Sequence, residues 1–330
     1  MEFRTIVTPP NALSPISHQD QMLLMGSCFA EHIGSRLVDA KFRCDVNPFG
    51  ILYNPHSIHA ALRQIMENKP YTAADLFFHN AQYRSYMHHG QFAANSSDEA
   101  LEGINHRIGR AHHALPHLQY ILLTFGTSWV FRLKDTGQIV SNCHKMPASA
   151  FERTRMSVDE IVDTYTRLIQ DIRALNPSCR FLFTVSPIRH TKDGAHGNQL
   201  SKAVLLLAIE ALQQRFAECI TYFPAYEIVL DELRDYRFYA EDMNHPSPLA
   251  LEYVWQRFSD AFFRKETQTI INECQKIKKD LEHRPISRNT EAYNAFLKQI
   301  VLKINGVEEK YPNLDLEKEK EKCRTLLNSL

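Results

Sequence analysis

Residues Leu23 to Leu37 read LLMGSCFAEHIGSRL. An apolar run closes on Gly26, and a hydroxyl (Ser27) and a thiol (Cys28) stand where a helical pattern begins. Ser27 is placed to cap that helix, its oxygen accepting from N–H groups one turn in. Cys28 then falls in the first turn, where the positive end of the helix dipole stabilises a thiolate. A nucleophile on a strand-to-helix turn is exposed at the edge of a sheet. The plainer reading makes Ser27 only a cap and Cys28 a packing residue, the usual role of a free cysteine. Further along, YAEDMNHPSPLALEYVW sets Asp242 and His245 three apart, ahead of a capped helix. On a turn that spacing lets the carboxylate accept from the imidazole Nδ1–H and leaves Nε2 as a general base. A third piece, LLTFGTSWVF, places Gly126, Thr127 and Ser128 after a buried strand, where backbone N–H groups could face an oxyanion or simply turn the chain. VNPFGILYNP has the same character at Gly50, with Asn47 or Asn54 as polar helpers.

The surrounding elements must bring these pieces together. Short apolar runs at Gln21 to Gly26, Phe42 to Gly50, Tyr120 to Gly126 and Arg180 to Pro187 read as strands, and ITYFPAYEIV holds a last one. WVFRL, KDTG and QIVS read as a hairpin. Helices are expected after Cys28, after the Asn54-Pro55 cap, from Ser97 to Leu115, from Met156 to Leu175, from Gln199 to Phe216, and from Ser247 to Phe263. Buried strands alternating with amphipathic helices imply a mostly parallel sheet covered on both faces. Sites in such sheets lie beyond the carboxyl ends of the strands. That rule gathers Gly26 to Cys28, Gly126 to Ser128 and Ser186 to His190 on one edge. From Arg264 onward the chain is charged and helical, so we expect one domain over residues 1–263 and a helical C-terminal extension over 264–330.

Composition excludes several classes. The 330 residues carry 38 Lys plus Arg against 38 Asp plus Glu, so no global charge favours nucleic acid. The 7 cysteines are scattered, odd in number and without a CxxC pair, which argues against a disulfide scaffold or a zinc ribbon. The first twenty residues lack a signal pattern, and no apolar run approaches the roughly 20 residues of a membrane span. A cytoplasmic, reduced protein is the expectation.

The block GSCFAEHIG, followed in order by NPFGILYNP, TFGTSWVF, NCHK, SPIRH and EDMNHPS, resembles the GSCFA domain family over about Met1 to Phe263. That family is grouped with the SGNH, or GDSL-like, hydrolases. The resemblance implies a three-layer α/β/α sandwich with a flavodoxin-like parallel sheet of about five strands, and activity on acyl esters, often on glycans. It puts Cys28 at the nucleophile position and Ser27 where the superfamily has Asp. Gly50 best matches the second-block glycine that donates to the oxyanion. Gly126, Thr127 and Ser128 fall on the third block, with Ser128 replacing its Asn. Asp242 and His245 keep the last block intact. The implied reaction is hydrolysis of an acyl ester or transfer of the acyl group, on a glycan or another small hydroxyl compound. The nucleophile is Cys28, or alternatively Ser27. A catalytically silent binding module of the same fold is the other class.

Remaining candidates concern substrate. His144 and Lys145 follow the hairpin, and Arg189 and His190 follow a strand that should end at the site edge. Each could meet a substrate carboxylate or phosphate. His113 and His117, beside His112, lack a third ligand at motif spacing, so no metal is expected. No cofactor is implied, except that a transferase would draw on an acyl donor such as a coenzyme A thioester.

Overall fold

The computed structural model describes residues 3–283 and 291–328. Its centre is a sheet of five parallel strands. They are β1 (Gln21–Gly26), β2 (Arg43–Val46), β5 (Tyr120–Phe125), β9 (Arg180–Val185) and β10 (Ile220–Tyr222), in the order β10-β9-β5-β1-β2. Two small antiparallel sheets flank it. One pairs β3 (Phe77–His79) with β4 (Gln82–Arg84), and the other runs β7 (Ile139–Val140), β6 (Trp129–Leu133), β8 (Phe151–Arg155).

Side chains alternate across a strand, so each central strand feeds two cores. Leu23, Met25, Ile121, Leu123, Phe181 and Phe183 face one side. There they meet α2 (Pro55–Glu67), α3 (Ser97–Ala114), α4 (Val158–Leu175) and α5 (Gly194–Arg215). Met22, Leu24, Tyr120, Leu122 and Leu182 face the other. That face is covered by α1 (Cys28–Asp39), the one-turn α6 (Ala225–Glu227) and α7 (Pro248–Phe262). The result is the expected three-layer sandwich. Strands buried on both faces explain why these segments read as unbroken apolar runs.

Helix starts follow the cap residues. Ser27 caps α1, Asn54 caps α2 with Pro55 at its first position, and Ser247 caps α7 with Pro248 likewise. Three features escape the sequence pattern. The helix expected from Gln199 begins at Gly194, because GAHGN carries two glycines and little apolar periodicity. β8 lies outside every expected strand, since only Phe151 of its five residues is buried. The β3–β4 hairpin was likewise not foreseen.

The helices α8 (Lys265–Glu282), α9 (Glu291–Lys310) and α10 (Glu317–Asn328) pack on one another through Cys274, Ile277, Leu297, Ile300, Ile304 and Cys323. Residues 284–290 and 329–330 of the expected extension lie outside the described residues. Ile271 of α8 enters the core under α1. Ion pairs Lys278–Asp39 and Lys41–Glu319, both 2.5 Å, tie the helices to the sandwich. Among the described residues no helix is long and apolar enough to cross a membrane.

Candidate active site

The ends of β1, β5 and β9 converge. Gly26 has φ 147°, and a Cβ there would lie 2.3 Å from the Thr124 carbonyl, so only glycine lets β1 turn this close to β5. A Cβ on Gly126 would stand 3.0 Å from the Tyr53 carbonyl, 3.4 Å from His190 Nε2 and 3.6 Å from Ser27 Cβ. Gly126 therefore marks the point where the β1, β5 and β9 loops and the entrance to α2 meet.

Cys28 opens α1, is partly exposed, and keeps out of the core clusters. Its Sγ lies 3.8 Å from Tyr53 Oη. Its backbone N–H has no acceptor among the described residues. The first turn of α1 presents the positive end of the helix dipole on this side. Ser27 is buried and caps the helix. Its hydroxyl accepts from Phe29 N at 3.3 Å, its N–H donates to Thr124 O, and its carbonyl accepts from Ala30 and Glu31.

Asp242 and His245 are paired. Nδ1 meets Asp242 Oδ2 at 2.5 Å, and Asp242 Oδ1 accepts the N–H groups of His245 and Asn244 at 2.9 and 3.0 Å. The backbone N–H groups of His245 and Asn244, then the His245 ring, hold the Asp242 carboxyl down to about 2. Met243 at φ 58° and a bridge between Tyr239 and Pro246 shape the loop. With Nδ1 engaged, Nε2 is free. Burial lowers the pKa of His32 on the second turn of α1; Glu31 opposes, and the charge of His245 adds to the lowering, so His245 stands beside the helix that carries Cys28. Among the described residues no hydrogen bond joins His245 to Cys28 Sγ or Ser27 Oγ.

Of the groups expected to face an oxyanion, the Cys28 N–H has no acceptor among the described residues, whereas the amides of Gly50, Gly126, Thr127 and Ser128 donate within the protein. Gly50 N–H donates to Asn47 O at 2.7 Å, and Gly126 and Thr127 N–H both donate to Tyr53 O at 2.8 and 2.9 Å. Ser128 N–H donates to Ser201 Oγ at 2.8 Å, and the Ser128 hydroxyl bonds the same oxygen. Tight turns consume their own amides, and the sequence does not say which carbonyl takes them. Asn54 Oδ1 caps α2, and Asn47 Oδ1 accepts Gly26 N–H at 3.0 Å.

One polar face of α5 holds the loops. Asn198 Oδ1 accepts His190 N–H, Ser201 takes the Ser128 contacts, and Lys202 Nζ donates to Gly126 O and Ser186 O, both at 2.6 Å. All three residues are buried. Burial, reinforced by Arg189 and opposed by Asp193, brings the Lys202 ammonium down to about 7. Sequence reasoning missed these residues; the signal was a polar triplet at i, i+3 and i+4 inside the apolar GNQLSKAVLLL.

The substrate candidates divide. His190 sits at the site, its ring edge-on to Tyr53 at 5.9 Å. Burial, then Lys202 and Arg153 against Asp193, pushes it down to about 4, so the imidazole is neutral near pH 7. Arg189 has no hydrogen bond or ion pair among the described residues. His144 is buried, with Nε2 on Ser85 O at 2.8 Å and Nδ1 near Arg84, so both ring nitrogens serve the β3–β4 side. Its neighbour Lys145 is exposed there in a left-handed turn, φ 60°. Among the described residues, no three His, Cys, Asp or Glu side chains group to hold a metal.

The profile described as "GSCFA family" matches residues 21–258, and that described as "GSCFA domain protein, C-terminal domain" matches 274–329. No curated protein matches the chain. Among solved structures, an acetyl xylan esterase from the rumen bacterium Butyrivibrio proteoclasticus is 11% identical at TM-score 0.37, over 74% of this chain and 64% of that one. The chain thus spans under two thirds of that esterase. A carbohydrate esterase family 3 protein from Talaromyces cellulolyticus is 11% identical at TM-score 0.34, over 77% of this chain and 99% of that one.

Proposed function

The chain belongs to the GSCFA family, and from that premise we propose that it transfers acyl groups from esters, to water or to the hydroxyl of a glycan or other small compound, with Cys28 as nucleophile. The observation that carries this reading is the division of labour in the first block. Cys28 Sγ is accessible at the helix start beside Tyr53 Oη, whereas the Ser27 hydroxyl is buried and caps the helix.

In the reaction, His245 Nε2 takes the thiol proton, and Asp242 holds the ring in the tautomer that permits this. The Cys28 thiolate attacks the acyl carbonyl. The tetrahedral adduct collapses to a thioester and expels the alkoxide, which receives the proton from His245. An incoming water or hydroxyl then gives its proton to His245, attacks the thioester and restores the thiol. His245 and Cys28 approach when substrate binds, as catalytic contacts often tighten only in the complex. With all seven cysteines free, the chemistry suits a reducing compartment, and we place it in the cytoplasm.

Intact-mass detection of an acyl adduct after exposure to activated esters tests the reading. Cys28→Ala should abolish the adduct. Ser27→Ala should keep it and cost about 1 kcal/mol of stability through the lost cap. If Ser27→Ala kills adduct formation and Cys28→Ala spares it, the assignment moves to Ser27. The missing Cys28–His245 hydrogen bond favours a second reading, a binding module without chemistry, which predicts no adduct with any ester.

A further inference from the structure

Acyl transfer to Cys28 creates one charge that still needs a partner. Attack on an acyl carbonyl puts negative charge on its oxygen, and catalysis depends on donors aimed where that charge develops. Four backbone amides of the loops after β2 and β5, those of Gly50, Gly126, Thr127 and Ser128, already donate within the protein. Next to the sulfur stand the Cys28 N–H, which has no acceptor among the described residues, and the Tyr53 hydroxyl.

Tyr53 is built into the site. Its carbonyl receives both Gly126 and Thr127 N–H groups, so the β5 loop fixes its backbone. The next residue, Asn54, caps α2. The phenol ring stands edge-on to His190, interplanar angle 87°. Among the described residues Oη has no hydrogen-bond partner except Cys28 Sγ, at 3.8 Å. An oxygen on a carbon bonded to that sulfur stands to one side of the Sγ–Oη line, within hydrogen-bond reach of a donor at this range. Partial desolvation, then the Cys28 and Glu31 charges, push the Tyr53 phenol well above its usual range, so the proton stays on Oη.

We propose that Tyr53 is a catalytic residue that donates its hydroxyl hydrogen bond to the acyl oxyanion on Cys28, together with the Cys28 N–H. The proposal rests on the acyl-transfer reading. No bond to Tyr53 forms or breaks; the phenol keeps its proton and releases the hydrogen bond when the carbonyl re-forms.

The test compares two reactions of the same thiol in the full chain. Acylation by p-nitrophenyl acetate passes through an oxyanion, and alkylation by iodoacetamide does not. Tyr53→Phe keeps the ring and removes only the hydroxyl. It should slow acylation about 10²- to 10³-fold, the usual loss for one oxyanion donor, and leave alkylation near the wild-type rate. Equal slowing of both reactions would assign Tyr53 to thiol reactivity and overturn the proposal. Unchanged acylation would overturn it too. A wild-type chain that alkylates yet never acylates would remove the acyl-transfer reading itself, an outcome distinct from a failure of Tyr53 alone.

Discussion

Each reactive group here is defined by what its neighbour already does. Ser27 caps the helix, and the thiol one residue on, the proposed nucleophile, is partly exposed. Asp242 illustrates the same point. It accepts two backbone N–H groups and the His245 ring, so it stays ionised and fixes the ring tautomer. Asp242→Asn should therefore leave Cys28 open to alkylation and lower the acylation rate about 10²-fold or more, the range lost with general acid–base help. The comparison of adduct rates by mass spectrometry checks this, and an unchanged rate would mean that His245 takes no proton. The D-x-x-H spacing made this pair legible in the sequence, because both partners sit on one short loop.

At the scale of elements, α5 is the support for two loops of the candidate site. Asn198, Ser201 and Lys202 share one helix face and bind the chain after β5 and after β9. A neutral lysine amine has two N–H groups, which match the two carbonyls it meets. The ordinary lysine value is 10.5 and the native one about 7. Between those values the unfolded chain binds a proton that the native chain lacks, so stability rises with pH. Denaturant titrations should show this gain, up to about 1.4 kcal/mol per pH unit. Lys202→Met should lose the gain, and leave Gly126 O and Ser186 O unpaired at a cost of about 1–3 kcal/mol each. Equal pH slopes in the two proteins would show that Lys202 stays charged in the fold.

Over the whole molecule, burial has also trapped neutral histidines. His59 and His190 are pushed down to about 4 and His88 to about 3, from an ordinary 6.5, with burial the largest cause in each. His88 stacks on Phe49 in the core, centroids 4.4 Å apart. Below 6.5 the unfolded chain takes up protons that these native rings refuse, so stability falls with falling pH. Thermal melts between pH 6.5 and 5 should record that fall, each ring contributing up to about 1.4 kcal/mol per pH unit. A melting temperature constant over this window would contradict the neutral assignment. The C-terminal helices share in the same body through Ile271 and the two ion pairs to α1 and its following turn.

The sequence by itself determined the elements whose signals are local. Apolar runs gave the five central strands, and Ser27, Asn54 and Ser247 set helix starts, because periodicity and capping depend on residues a few positions apart. The strand-Gly-Ser-Cys-helix pattern pointed to Cys28 and the D-x-x-H spacing to Asp242 with His245, each again within a few positions of chain. Tertiary structure decided what local pattern cannot encode. Ser201 lies 73 residues from Ser128, and Lys202 lies 76 from Gly126. Tyr53 meets Cys28 across 25 residues, and its carbonyl takes the two amides that the sequence had offered to substrate. Which donor finds which acceptor is settled only when the sheet and its helices pack, since every buried polar group must then choose a partner within about 3 Å.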